Sequence, residues 1–210
     1  YIFDRLGGLL YKRITTLRLQ LGLAHSKRES YMTRWHFGIA ALAIGLGTGI
    51  TAQHGASQRD MALLSHNYLQ ARTAYQATIH RQGDLYIAYV GHHGGMMPNP
   101  LTGQTEPNGT SVLDVTNPRS PRYLTHIPGE AGQGEGGGAQ MARVCNGSTL
   151  PRADRTKVYL LRSFGTSGHE VWDVTTPEKP VKVTTVMSGM RNTHKNFWEC
   201  DTGIAYLVAG

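Results

Sequence analysis

One phrase is written twice in this chain, and it limits the possible folds more than any other feature. It reads Ser111-Val112-Leu113-Asp114-Val115-Thr116-Asn117-Pro118-Arg119-Ser120-Pro121, then Glu170-Val171-Trp172-Asp173-Val174-Thr175-Thr176-Pro177-Glu178-Lys179-Pro180. Hydrophobe-Asp-Val-Thr-x-Pro-x-x-Pro is common to both, and each copy leads into a short strand-like run, Arg122-Tyr123-Leu124 or Val181-Lys182-Val183. Leu113/Val115 and Trp172/Val174 alternate with Val112/Asp114 and Val171/Asp173, the period of two of a strand. Asp followed by Thr and Pro suits a turn, because the carboxylate accepts a backbone N–H two residues on and proline presets φ. The second proline cannot donate to a ladder and belongs at the start or edge of the next strand. Each copy predicts strand, turn, strand, with Asp114, Pro118, Asp173 and Pro177 as structural turn residues rather than catalytic ones.

Three more runs, 85–91, 157–161 and 204–208, are short, apolar and rich in β-branched or aromatic residues, and predict strands buried on both faces. Asp114 and Asp173 lie 59 residues apart, and Tyr159 and Tyr206 lie 47 apart. A four-stranded propeller blade takes about 40–50 residues, more when its loops are elaborated. The Gly-rich run 129–138 supplies the extra length. With 26 Gly, 9 Pro and few helical patterns after residue 75, the chain predicts an all-β fold. The architecture expected is a partial β-propeller of two to three blades, preceded by a helical or signal segment.

The formal charge of +7 is concentrated at the front: residues 1–53 carry +5, and the other 157 residues only +2. The body therefore offers no basic footprint for nucleic acid. Met32-Thr33-Arg34-Trp35-His36 followed by the uncharged run 37–50 has the form of an export signal, too short for a bilayer span of about 20 residues. The expected organisation is an upstream segment of doubtful significance at 1–31, a signal peptide at 32–53 and a propeller portion at 54–210, truncated at its C-terminus. Localisation is then periplasmic, cell-surface or extracellular, with membrane contact only through the signal segment.

Along the body, 73–80 and 85–91 predict a hairpin turning at Gln82-Gly83-Asp84, and 96–109 a long loop. The run 129–138 predicts a mobile surface loop, and without a Gly-Lys-Ser/Thr sequence it is no phosphate cradle. Strands are expected at 140–145, 157–161, 170–174 and 181–186, then a loop at 188–201. Met61 to Leu69 reads as a short helix or an extended lead-in. Cys145 and Cys200 permit a disulfide in an exported chain, free buried thiols being the alternative.

Chemically capable side chains gather at strand ends: His92, His93, His169, Glu170, His194, Glu199 and Cys200. In a propeller such ends converge on one mouth of the channel. His93, His169 and His194 could there hold a transition metal, with Glu170 or Glu199 as ligand or base. Loop-capping histidines are the competing reading. The run Ser167-Gly168-His169-Glu170 reads poorly as a nucleophile beside a base, since adjacent residues on a strand point to opposite faces. Trp172, Phe197 and Trp198 read as core rather than a carbohydrate platform, and Arg191, His194 and Lys195 as solvated loop charges rather than an anion site.

The segments 76–84 and 87–95, both Asp-Val-Thr units and Thr193-His194-Lys195-Asn196-Phe197-Trp198-Glu199-Cys200-Asp201-Thr202-Gly203 together resemble the bacterial LVIVD-repeat proteins, over roughly residues 60–210. That resemblance implies an exported β-propeller of largely unassigned activity. The expected function is a binding or scaffold module for an unknown small molecule or envelope protein. The alternatives are a metal-dependent oxidoreductase or hydrolase at the channel mouth, and a surface lectin or adhesin.

Overall fold

The computed structural model describes residues 61–209; the expected signal at 32–53, the stretch before it and the polar run 54–60 lie outside the described residues. The described chain is all-β apart from one turn at Leu69–Ala71, whose three residues all have positive φ (50°, 55° and 63°). Met61 to Tyr68 has no regular structure and Leu69 begins that turn, so the stretch is no helix. Twelve strands follow: β1 Ala77–Gln82, β2 Leu85–Gly91, β3 Met96–Asn99, β4 Gln104–Pro107, β5 Thr110–Asp114, β6 Arg122–Ile127, β7 Ala142–Asn146, β8 Val158–Phe164, β9 Gly168–Asp173, β10 Val181–Met187, β11 Asn196–Trp198 and β12 Ala205–Leu207. They form two antiparallel four-stranded sheets, β1-β2-β5-β6 and β7-β8-β9-β10, and two ribbons, β3-β4 and β11-β12.

The duplicated phrase occupies the same place in both sheets, at the end of the third strand. Asp114 Oδ1 accepts the Thr116 amide at 2.9 Å, and Asp173 Oδ1 accepts the Thr175 amide at 3.0 Å. Each threonine oxygen then accepts the backbone N–H of the second strand's start, Thr116 from Tyr86 and Thr175 from Val158, both at 3.0 Å. Val115 donates to the Tyr86 carbonyl and Val174 to that of Val158. Each corner therefore closes one more rung of its ladder, as turn chemistry predicts.

The core lies between the two sheets. Ile87, Tyr89, Val112 and Ile127 of the first sheet meet Ala142 and Leu160 of the second and Val174 just past it. A second cluster, Ala88, Val90 and Leu113, fills the other face of the first sheet beneath Leu69, Val115 and Tyr123. Polar groups also cross between sheets. From β1, whose alternate residues are exposed, Thr78 donates to the Ala142 carbonyl at 2.8 Å and Gln82 to that of Val174 at 2.9 Å, while His80 meets Asn146 at 2.9 Å.

Arg162 is the most deeply buried of these groups, with no exposure. Its guanidinium donates to Glu170 Oε2 at 2.9 and 3.2 Å and to the Ile127 and Pro128 carbonyls at 2.9 and 2.7 Å. Its charge lies 4.9 Å from the Trp172 ring centre. A buried guanidinium costs several kcal/mol unless it is well bonded, and here all three nitrogens donate.

Several expectations need correction. The β1–β2 hairpin turns on Gly83-Asp84 alone, with Gln82 paired to Leu85 and Gly83 at φ 62°. The expected loop at 96–109 contains the β3–β4 ribbon, where Pro98 and Pro107 are tolerated because each strand has only one paired edge. The expected loop at 188–201 contains β11, which pairs with β12. The 204–208 run is not buried on both faces: Ile204, Tyr206 and Val208 are exposed, because β12 has one paired neighbour and no covering sheet. The end of the Gly-rich run, Gly137 and Gly138, is buried rather than a surface loop, as are Ala139 and Gln140 after it. A Cβ on Gly94 would run into the Gly134 carbonyl, and one on Gly138 (φ 81°) into the His92 carbonyl.

Cys145 and Cys200 form a disulfide across 55 residues, joining β7 to the turn of the β11–β12 ribbon. With Asn196 donating to the Met141 carbonyl at 3.3 Å, it holds β11 beside β7. No helix among the described residues is long and apolar enough to cross a membrane.

Candidate functional site

Loops from both four-stranded sheets meet beside one another. His93 follows β2, the Gly-rich run precedes β7, Thr166 turns β8 into β9, and Asn192 and His194 precede β11. Together they surround a cavity of about 410 Å³, lined by His93, Glu135, Gly136, Gln140, Thr166, Asn192 and His194. That volume suits a small molecule.

The ring positions follow from local backbone. The Gly94–Gly134 approach lays the Gly-rich run against the end of β2, so His93 Nδ1 donates to the Glu135 carbonyl at 3.1 Å. The edge of Tyr75, with ring centres 4.9 Å apart, fixes the imidazole from the other side. Asn192 takes φ 58°, a left-handed geometry that Asn accepts more readily than most residues, and its carbonyl receives His194 Nδ1–H at 3.0 Å. In its neutral form each imidazole thus carries its proton on Nδ1 and leaves the Nε2 lone pair free. A backbone carbonyl at Nδ1 is the usual way of presenting Nε2 to a ligand.

His93 and His194 therefore share one cavity lining, and the other expected metal ligands do not join them. His169 is fully buried on the face of β9 opposite Glu170, since strand neighbours alternate, and its Nε2 meets the Val208 carbonyl at 3.3 Å. Burial lowers its pKa, keeping it neutral. Glu170 is held by Arg162, Lys182 and the Trp172 indole. Burial raises its pKa, but the Arg162 charge and these donors outweigh that and leave it lowered. Glu199 accepts the Thr202 and Tyr206 hydroxyls. Among the described residues, no three of His, Cys, Asp or Glu gather as a metal-ligand set. The triad expected from the strand ends is not assembled, because alternation along β9 sends His169 and Glu170 into packed environments.

Other sequence candidates resolve similarly. Ser167 donates to Glu130 Oε1 at 2.9 Å rather than to an imidazole. Trp172 packs against the core, as expected, but Phe197 is exposed and tilts against Tyr206 on the open side of the ribbon. Trp198 lines a separate cavity of about 320 Å³ with Tyr159, Pro151 and Arg152. Arg191 and Lys195 are exposed.

A buried polar network beneath the β3–β4 ribbon is absent from any reading of the sequence. His92 Nδ1 faces the Thr73 carbonyl at 2.7 Å and so carries the proton. Its Nε2 must accept from Ser111 Oγ at 2.7 Å, and Ser111, its one proton spent, accepts from Tyr123 Oη at 2.6 Å. His126 is fixed by the same logic: Nε2 accepts the Gly109 amide at 3.0 Å, so Nδ1 donates to Glu106 at 2.8 Å. Burial pushes both histidines down to about 4, against the Thr73 bond for His92 and against Glu106 for His126. Ser111 and His92 have no solvent access, so their resemblance to a nucleophile–base pair is structural only.

Set against known proteins, the chain matches no family model, no curated protein and no solved structure.

Proposed function

We propose that this chain is an exported binding module of the LVIVD-repeat kind, its sheets arranged as part of a β-propeller, and that the cavity lined by His93 and His194 takes a small polar ligand. The radial arrangement is supported by the packing of first strands: β7 lies between β1 and β11, and each of the three opens a hairpin. The equivalent Asp-Val-Thr corners support repetition of one unit. Export is supported by the Cys145–Cys200 bridge, since such bonds persist in oxidising compartments.

The observation that carries the binding role is convergence. Loops following or joining strands of both sheets, with the segment leading into β11, place on one cavity two imidazoles whose Nε2 atoms have no protein partner. Histidine-labelled protein titrated with a panel of small polar solutes tests this. The His93 and His194 ring signals shift together, while those of buried His92 and His169 stay in place. If no solute moves either cavity ring, the reading is wrong.

A metal-dependent oxidoreductase or hydrolase is the second reading, favoured by the same two Nε2 atoms. The missing third ligand among the described residues argues against it, and no reaction step is derived from it. A stoichiometric transition metal in the purified protein, lost in His93→Ala or His194→Ala, would favour it.

A further inference from the structure

The hydrogen-bonding inventory of the cavity narrows the ligand further, given the reading of that cavity as the binding site. Gln140 spends both amide hydrogens on the Gly136 and Gly137 carbonyls, at 2.9 and 3.1 Å, and turns only Oε1 outward as an unspent group. His93 and His194 spend their Nδ1–H on backbone carbonyls and retain acceptor lone pairs at Nε2. Thr166 donates its hydroxyl proton to Gln133 Oε1 at 3.1 Å, so its oxygen can only accept. Glu135 contributes a carboxylate, acceptor-only when ionised. Among these lining side chains, only the Asn192 amide keeps unspent donors. Neither Lys nor Arg lines the cavity, and its one formal charge is negative.

A lining whose side-chain protons are committed everywhere but at Asn192, and whose one formal charge is negative, suits an acceptor-rich anion poorly. It complements a group with several hydrogens, a positive charge and no lone pair. We infer that the ligand class is a small organic cation, a protonated amine, whose ammonium hydrogens are taken by acceptors drawn from Glu135, Gln140 Oε1 and the Nε2 atoms of His93 and His194. An ammonium brings three donors and no acceptor, which matches this lining.

Putrescine, butanediol and succinate share a four-carbon chain and differ only in their end groups, so the three separate the possibilities. In calorimetric titration of the full chain, putrescine binds saturably, butanediol binds at least about tenfold more weakly, and succinate gives no heat. Glu135→Gln and His194→Ala each weaken putrescine by a similar factor, with unchanged thermal midpoints showing that the fold is intact. Preferential binding of succinate, silence of putrescine, or displacement of putrescine by one equivalent of Zn²⁺ would each overturn the inference. If putrescine is silent while other solutes move the His93 and His194 signals, the cavity remains a binding site and only the cation class is lost. If nothing moves those signals, both readings are lost.

Discussion

His92 and His126 each have both ring nitrogens committed to partners that require a neutral imidazole. An added proton would place His126 Nε2–H against the Gly109 N–H, and His92 Nε2–H against the Ser111 hydroxyl proton. The consequence for stability has a definite sign. Unfolded histidine titrates near 6.5, whereas burial holds His92 at about 4, so between those values the unfolded chain binds more protons. Stability is therefore full above pH 6.5 and is lost as pH falls toward 4, by about 3 kcal/mol for His92 alone. Urea midpoints measured from pH 7 to pH 4.5 should decline steadily; a flat profile would show that the network does not titrate this way. Arg162 makes a second case. Removing its partner in Glu170→Ala leaves a buried charge without its carboxylate and should cost about 3–5 kcal/mol, whereas the paired change Arg162→Met/Glu170→Leu should recover much of that. Comparing the two variants by chemical denaturation checks the claim.

At the scale of the strand, the duplicated corner works through its threonine as much as its aspartate. Thr116 and Thr175 each cap the N–H that begins the neighbouring strand, and the carboxylate fixes the turn that puts them there. Asp114 is held below the usual carboxylate range by its hydrogen bonds from Thr116 and then by Arg122. Asp173 is also lowered, the donors Thr175 and Lys157 overcoming the opposing effect of burial. Valine at either threonine keeps the shape and deletes the oxygen, so Thr116→Val and Thr175→Val should each cost about 1 kcal/mol, and by similar amounts in the two sheets. A large inequality in denaturation measurements would mean that the two corners are not equivalent parts. The Gly94–Gly134 approach predicts a different outcome: Gly94→Ala should displace the Gly-rich run and disturb the His93 ring signal while leaving both sheets intact.

Across the whole molecule, covalent and polar ties replace continuous hydrogen bonding between sheets. The β1 side chains Thr78, His80 and Gln82 reach across to β7 and to the Val174 carbonyl, and Arg162 reaches back to the Ile127 and Pro128 carbonyls. The β11–β12 ribbon depends more on its disulfide, whose closed loop of 55 residues is worth about 4 kcal/mol on chain-entropy grounds. Reduction, or Cys145→Ser/Cys200→Ser, should speed amide exchange in β11 and β12 while β2, β5, β8 and β9 stay protected. Exchange mass spectrometry with and without reductant reads this directly. Uniform loss of protection would show that the ribbon supports the sheets rather than resting on them.

Local patterns alone determined the all-β class, the two Asp-Val-Thr corners, the β1–β2 hairpin and the strand end where His93 sits. Each of these depends on side-chain alternation or turn chemistry within a few neighbouring residues. Only the tertiary structure decided what the strand ends face. Alternation along β9 sends His169 and Glu170 in opposite directions, but what each meets there, the Val208 carbonyl or Arg162, comes from a segment 39 residues distant or from the adjoining strand. Glu135 was hidden in a run whose glycines read as freedom, although they permit close backbone approach once β2 lies against it, and Gln140 stood in what read as the start of a strand. The positive φ of Asn192 and the protonated nitrogen of each histidine depend on contacts made only in the folded chain, and those contacts determine the chemistry of the cavity.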